Sequence, residues 1–369
     1  MAGTTAMMRS LVSPQFGEPS IYELRDGEMP NVKKPTEILI KVEAASINAH
    51  DVIMASGRTK AIQVLPLPYP IGLDFAGTVL DSGSAVSSCG PGDSVYGFSA
   101  AGGTAATHLL LDTAKAHTHA IACIPAGLGM VEAAGLPAVA ITAMLALQHA
   151  DNFLPGGLQG KTVFIPGALS GVGSIALQIA KRKYNARTLT AASGGKIPKI
   201  GDCLGQEVVD TVFDYTQVNV TKKIGKGEVD FVFDTTGLAS EYLPMIKRGG
   251  LCLSIARLPP GSALKDESPD APHQSRLACI GQNVMDGMDN AFRTWAKTMY
   301  GVVYVYQKTE PNNSHMQELN NLIQSGVLQP VIGKTAGLNE IEKIRDGCTA
   351  ILKGKGGIGK FVILMDDED

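Results

Sequence analysis

The chain has 369 residues, 44% apolar and 18% charged. At about 150 residues per domain that is material for two domains with a substantial core, and it excludes an intrinsically disordered chain. With 32 basic and 35 acidic side chains the formal net charge is −3, which leaves no electrostatic footprint for nucleic acid or an anionic membrane surface.

The first residues, Met-Ala-Gly-Thr-Thr-Ala-Met-Met-Arg, hold no apolar stretch of signal-peptide length, and no run of 18 apolar residues follows. The expectation is a cytoplasmic protein without a transmembrane helix. Glycosylation sequons at Asn219 and Asn312 then read as accidental. Residues 37–47 predict a strand. Turns rich in Gly and Pro follow at 66–70, 82–84 and 89–93, with short apolar runs between them at 75–80, 94–98 and 107–111. Short strands at this spacing predict a β-rich domain. Near residue 130 the texture changes. Residues 130–150 are rich in Ala and Leu and helix-like, interrupted by Pro137. Strand and helix then alternate: strands at 161–166, 186–192, 229–234 and 250–255, with a helix at 171–183, which predicts βαβ units and a parallel sheet. Residues 259–275, rich in Pro, Ser and Asp, read as an exposed loop. A helix from Asn313, a second helix and a strand at 360–365 close the chain. Six cysteines, at 89, 123, 203, 252, 279 and 348, include no Cys-x-x-Cys pair, so neither a zinc ribbon nor a redox dithiol can be drawn, and all six read as reduced thiols.

The strongest motif is Lys161-Thr-Val-Phe-Ile-Pro-Gly-Ala-Leu-Ser-Gly-Val-Gly-Ser-Ile-Ala-Leu-Gln-Ile-Ala-Lys181. An apolar strand enters a turn of small residues that opens an amphipathic helix. A dinucleotide pyrophosphate needs this arrangement: free N–H groups and the helix dipole face the phosphates, and only tiny side chains permit the approach. The strict Gly-x-Gly-x-x-Gly frame falls on Ala168, Ser170 and Gly173, so an ordinary strand-to-helix turn is the competing reading. The next strand ends in Ser193-Gly-Gly-Lys196, without the acid that would hold a ribose 2′-hydroxyl. A hydroxyl and an ammonium there favour a 2′-phosphate, hence NADPH over NADH; a solvated surface lysine is the plain alternative. Gly354–Lys360 imitates a nucleotide-triphosphate loop, but Phe361 stands where Ser or Thr would hold magnesium and a strand follows.

In register, these motifs resemble the medium-chain dehydrogenase/reductase superfamily, and more closely its zinc-free quinone oxidoreductase and enoyl reductase branch. The resemblance runs from about residue 30 to 365. It is carried by Val42–Asp51, Pro70-Ile-Gly-Leu-Asp74-Phe-Ala-Gly77, Pro91–Gly97, Glu132–Ala143, the turn at 168–173, Phe213-Asp214-Tyr215, Phe233-Asp234-Thr-Thr-Gly237 and Gly357–Lys360. It implies an α/β fold: a GroES-like β-rich catalytic domain at 1–143, a Rossmann domain with a doubly wound parallel sheet at 144–308 that binds NADPH, and a segment at 309–369 returning to the catalytic domain.

At the positions where the zinc-dependent branch holds its catalytic metal this chain has Asn48, Leu73 and Ala138. None is a usual zinc ligand, so no metal is expected; His50 and the pair His117 and His119 read as ordinary histidines. Without zinc, the chemistry implied is hydride transfer from NADPH to an electron-poor small molecule, a quinone or an activated C=C bond. The resemblance implies Asn48 for substrate hydrogen bonding, Thr142 for the nicotinamide region, and Asp51 in the same cleft, where it also orders the loop. For the cofactor it implies Ser170, Gly171, Val172 and Gly173 at the pyrophosphate and Ser193, Lys196 and Tyr215 around the 2′-phosphate. Thr236 and Gly237 then border the adenosine, Ser254, Ile255 and Ala256 approach the nicotinamide, and Lys360 is a late cofactor contact or a surface charge. The stretch 52–58 lacks the Tyr or Lys that relatives carry and offers only Arg58, so the substrate stays open, as does the proton donor. A homodimer joined through Rossmann sheet edges, a trans-acting enoyl reductase partnered with an acyl carrier or polyketide synthase, and a non-catalytic NADPH-binding protein are the further readings.

Overall fold

Glu37–Ile47 alternates and concentrates β-branched and small apolar residues, and nearly all of it is buried. A strand covered on both faces belongs at the centre of a sheet, and that is its place in the computed structural model, which describes residues 6–60, 65–115, 118–264, 276–310 and 312–365. Asp74–Ser82 runs antiparallel to it on one edge. On the other edge two strands share its length: His108–Asp112 pairs with residues 37–41 and Lys360–Leu364 with residues 44–47. Ser94–Ser99, His119–Cys123 and Ile332–Gly337 complete seven strands. A small three-stranded sheet, with Met7–Ser13 between Glu23–Glu28 and Tyr69–Pro70, lies beside them.

The second sheet has six strands: β1 (Thr162–Pro166), β2 (Arg187–Ala192), β3 (Thr211–Asp214), β4 (Val229–Asp234), β5 (Ile246–Ser254) and β6 (Val303–Tyr306). Their order is 3-2-1-4-5-6 and every pairing is parallel, the doubly wound arrangement whose order reverses next to β1. The fold class is the expected one, a β-rich GroES-like unit with a Rossmann sheet. The four-residue strands β3 and β6, at the two edges of this sheet, are additions to the strands expected from periodicity.

The helix-like stretch is interrupted ahead of Pro137, as expected, and Pro137 itself opens the second helix. Met130–Ala134 is a separate short helix, and α1 (Pro137–Phe153) carries Pro137 in its first turn, where the missing N–H costs nothing. Residues 143 and 144, on either side of the expected domain boundary, both lie inside α1. α2 (Gly171–Arg182) buries Ile175, Ala176, Leu177, Ile179 and Ala180 against α1 and the sheet. The helix Asn313–Gln324 spans both units. It places Met316, Leu319 and Leu322 in the core shared with α1 and α2. From it Asn320 accepts from Tyr96 at 2.6 Å and Glu318 pairs with Lys183 at 2.5 Å. Of the 259–275 loop, residues 265–275 lie outside the described residues, as does His117.

Candidate active site

β1 delivers the chain into Gly167, whose φ of +73° is in the left-handed region that glycine tolerates. Ser170 then caps α2, its hydroxyl accepting from the Gly173 N–H at 3.0 Å. The N–H groups of Gly171 and Val172 fall in the first turn, where a helix supplies no partner of its own. A Cβ at Gly173 would sit 2.3 Å from the Gly167 carbonyl, so the turn admits no side chain there. The result is a narrow cradle of small residues with free donors and the positive end of a helix, which fits a pyrophosphate.

Beside the cradle, the turn that follows β2 carries Ser193 and Lys196, both half-buried. The Lys196 ammonium donates to the Gly357 carbonyl at 2.5 Å, which ties this turn to the C-terminal segment. Tyr215 is exposed. Asp214 lies close by: a Cβ at Gly194 would come within 2.6 Å of its Oδ2. Hydrogen bonds from the Thr216 hydroxyl and N–H hold the Asp214 carboxyl below its ordinary range, so a fixed negative charge borders the same turn.

Past β4, the Asp234 carboxylate shapes the loop. It is fully buried, and its Oδ1 accepts from the N–H groups of Thr236, Gly237 and Leu238 at 3.0, 2.9 and 3.2 Å. Its Oδ2 accepts from Ala239 N–H at 3.1 Å and the Ser254 hydroxyl at 2.8 Å. This one side chain therefore draws Thr236 and Gly237 beside Ser254, at the end of β5, and Ile255 and Ala256 follow directly.

Thr142 lies on α1, buried, with its hydroxyl donating to the Ala138 carbonyl at 2.6 Å and 2.8 Å from the Thr309 hydroxyl. Its own carbonyl accepts from the Gln307 amide at 2.9 Å. The cleft side of α1 is thereby pinned to the segment that follows β6.

Asn48 sits half-buried at the start of the short helix Ala49–Ala55. Asp51 is wholly buried on that helix. One of its oxygens accepts from the Asn48 N–H at 2.8 Å and the other from the Gly72 N–H at 3.0 Å. Burial pushes the Asp51 carboxyl up to about 7, against the opposing pull of those two N–H groups and of Lys360. These contacts order the loops that carry Asn48 and Gly72.

Asp74 is, with Asp234 and Asp214, a residue that sequence reasoning left without a role. It is fully buried at the start of its strand. Its Oδ1 accepts from the Ala138 N–H at 2.7 Å. Its Oδ2 accepts from the Ser46 hydroxyl at 2.9 Å, the Asn48 amide at 2.9 Å and the Lys360 ammonium at 3.2 Å. Lys360 also donates to Asn48 Oδ1 at 2.5 Å and is only 5% exposed. Asp74 and Asp234 could have been noticed in the sequence as the lone acids within the Pro70–Gly77 and Phe233–Gly237 motifs.

At the family's zinc positions, Leu73 and Ala138 pack with Phe98 in a small apolar cluster. Among the described residues no group of three or more His, Cys, Asp or Glu side chains could hold a metal, and no helix is long and apolar enough to cross a membrane. His50 is exposed.

The model of the alcohol dehydrogenase GroES-like domain matches residues 34–144, and that of the zinc-binding dehydrogenase matches residues 208–344. A chloroplastic NADPH-dependent alkenal/one oxidoreductase of Arabidopsis thaliana is 31% identical over 261 residues, 69% of this chain and 64% of that protein's own length. Human quinone oxidoreductase is 28% identical over 371 residues, covering 99% of this chain and 100% of that one. The solved quinone oxidoreductase of Coxiella burnetii superposes with a TM-score of 0.73 at 22% identity, covering 98% of this chain and 100% of its own; at that identity the likeness speaks to the fold.

Proposed function

The chain belongs to the medium-chain dehydrogenase/reductase family, and on that premise we propose that it is an NADPH-dependent, zinc-independent reductase of quinones or activated C=C bonds. The observation that carries the reading is the meeting of two structures: the bare, donor-rich turn at 167–173 and the Asn48 carboxamide, joined through Lys360. Bound in the cradle, NADPH would supply the hydride.

The chain's own groups do the rest. The N–H groups of Gly171 and Val172, with the dipole of α2, hold the pyrophosphate. Ser193, Lys196 and Tyr215 take the 2′-phosphate. Lys196 has a neutral partner in the Gly357 carbonyl, which a phosphate can outcompete. Thr236 and Gly237, fixed by Asp234, border the adenosine side, and Thr142 with Ser254, Ile255 and Ala256 bounds the nicotinamide side. Negative charge that grows on the acceptor's oxygen needs a positioned donor. Asn48 has one amide N–H engaged by Asp74 and a second to spend on substrate. Zinc independence rests on the chemistry of Asn48, Leu73 and Ala138, of which the last two lie in an apolar cluster.

The test is oxidation of NADPH and NADH by the purified chain against quinones, enones and enoyl thioesters, with metal analysis on the same sample. Turnover with NADPH in strong preference to NADH and no stoichiometric zinc is the expected result. No turnover across the panel, or one zinc per chain, would overturn the proposal.

A further inference from the structure

The side chain of Asn48 has its two ends assigned by its neighbours. An ammonium only donates, so the atom 2.5 Å from Lys360 Nζ is the carbonyl Oδ1. A carboxylate only accepts, so the atom 2.9 Å from Asp74 Oδ2 is the amide nitrogen. With both neighbours in place the carboxamide cannot flip, and one N–H is left over. Either neighbour alone still disfavours the flip, but removing one frees that end of the carboxamide and loosens its position.

Lys360 is not placed as a surface charge. It is 5% exposed and lies against the phosphate turn, since a Cβ at Gly171 would come within 3.2 Å of its Cδ. The preceding Gly359 N–H donates to the Leu169 carbonyl at 2.8 Å. The ammonium itself is committed to Asn48 and Asp74. Asp74 in turn holds the Ala138 N–H at the start of α1, one helical turn before Thr142. A single buried ion pair thus connects the turn at 167–171, the Asn48 carboxamide and the helix bearing Thr142.

We propose that Lys360 and Asp74 are positioning residues that lock the Asn48 carboxamide in the orientation presenting its free N–H to the acceptor's oxygen, and that Lys360 is not a ligand of the cofactor phosphates. The inference rests on the role given to Asn48 above.

Two substitutions separate the readings: Lys360→Met, which keeps the stem and removes the charge, and Asp74→Asn. NADPH binding is measured by calorimetry at low and high salt, and steady-state rates are measured on the best acceptor of the panel. A positioning role predicts that Lys360→Met leaves NADPH affinity within about twofold and its salt dependence unchanged, because no charge-assisted phosphate bond has been lost. It also predicts that kcat falls about tenfold to a hundredfold in both variants, with the KM for NADPH held, as a misplaced group costs rate rather than binding. Loss of NADPH affinity by about tenfold or more in Lys360→Met would identify a phosphate ligand and overturn the assignment; so would an unchanged kcat in both variants. Should wild-type protein show no turnover, the functional reading falls, and the binding measurement still decides where the Lys360 charge is spent. Should Lys360→Met fail to fold, the double variant Asp74→Asn/Lys360→Met, which removes both buried charges together, carries the same binding measurement.

Discussion

Asp74 and Asp234 are both fully buried carboxylates, and they are satisfied in opposite ways. Asp234 is surrounded by neutral donors, and four of its backbone partners lie two to five residues ahead of it. It is a local device: a carboxylate at a strand end that curls its own loop. Asp74 takes an ammonium, an amide, a hydroxyl and one N–H from three separate stretches of chain, at separations of 26, 28, 64 and 286 residues. The first arrangement shapes a loop; the second fastens the strand that Asp74 opens to the Ser46–Asn48 stretch, the start of α1 and the last strand. Stability should depend on both, and coupling between cofactor and cleft only on the second.

The harshest way to break this contrast is Asp74→Ala. It strands the Lys360 charge in a buried site and should cost about 3–5 kcal/mol of unfolding free energy in urea titrations. Adding Lys360→Met to that variant should restore much of the loss, because the uncompensated charge goes with it. Equal damage in the single and double variants would mean that Lys360 does not depend on Asp74.

Asp234→Asn is the milder counterpart. One acceptor oxygen becomes an NH2 facing donors, and about 2 kcal/mol should be lost. Here the second substitution has no partner charge to remove, so no rescue of the Lys360→Met kind exists. Smaller again in stability, Lys196→Met should leave the melting temperature within a degree or so and reduce the preference for NADPH over NADH by about tenfold in competition binding, as one charge-assisted bond is removed.

The effect that depends on pH is set by Asp51. Its carboxyl rises from an ordinary 3.8 to about 7 on burial. The folded chain therefore binds a proton that the unfolded chain has released, and stability contributed by this group is lost as pH rises from near 4 through about 7. The melting temperature of Asp51→Asn should show a flatter pH profile between pH 5 and 8 than that of wild type. Parallel profiles would remove Asp51 as the titrating group.

How much of this was readable from the chain follows the same division. The turn at 167–173 and the strands β1, β2, β4 and β5 are local patterns of apolar residues and glycines, so periodicity reveals them. The strands β3 and β6 are four residues long, too short for alternation to stand out. Pro137 is legible too: a proline inside an Ala-rich stretch signals a break, and the helix does stop at Ala134 before α1 opens at Pro137. Asn48 and Thr142 could be singled out by resemblance alone. What each touches could not, because Lys360 meets Asn48 across 312 residues and Thr142 meets Thr309 across 167. Asp214 stood in a quoted motif with no role attached. Its closeness to Gly194 is a consequence of parallel pairing between β2 and β3, which places Asp214 opposite Ala192.

The pairing of Phe361–Leu364 with Ala44–Ile47 also has a bearing on biogenesis. As the polypeptide leaves the ribosome, the dinucleotide-binding sheet, built from residues 162–306, has all its strands before the first unit has its last one. Nascent chains arrested short of residue 360 should thus acquire protease-resistant structure around β1 to β6 while the stretch near Asn48 stays open to cleavage, its sheet lacking the strand that arrives last.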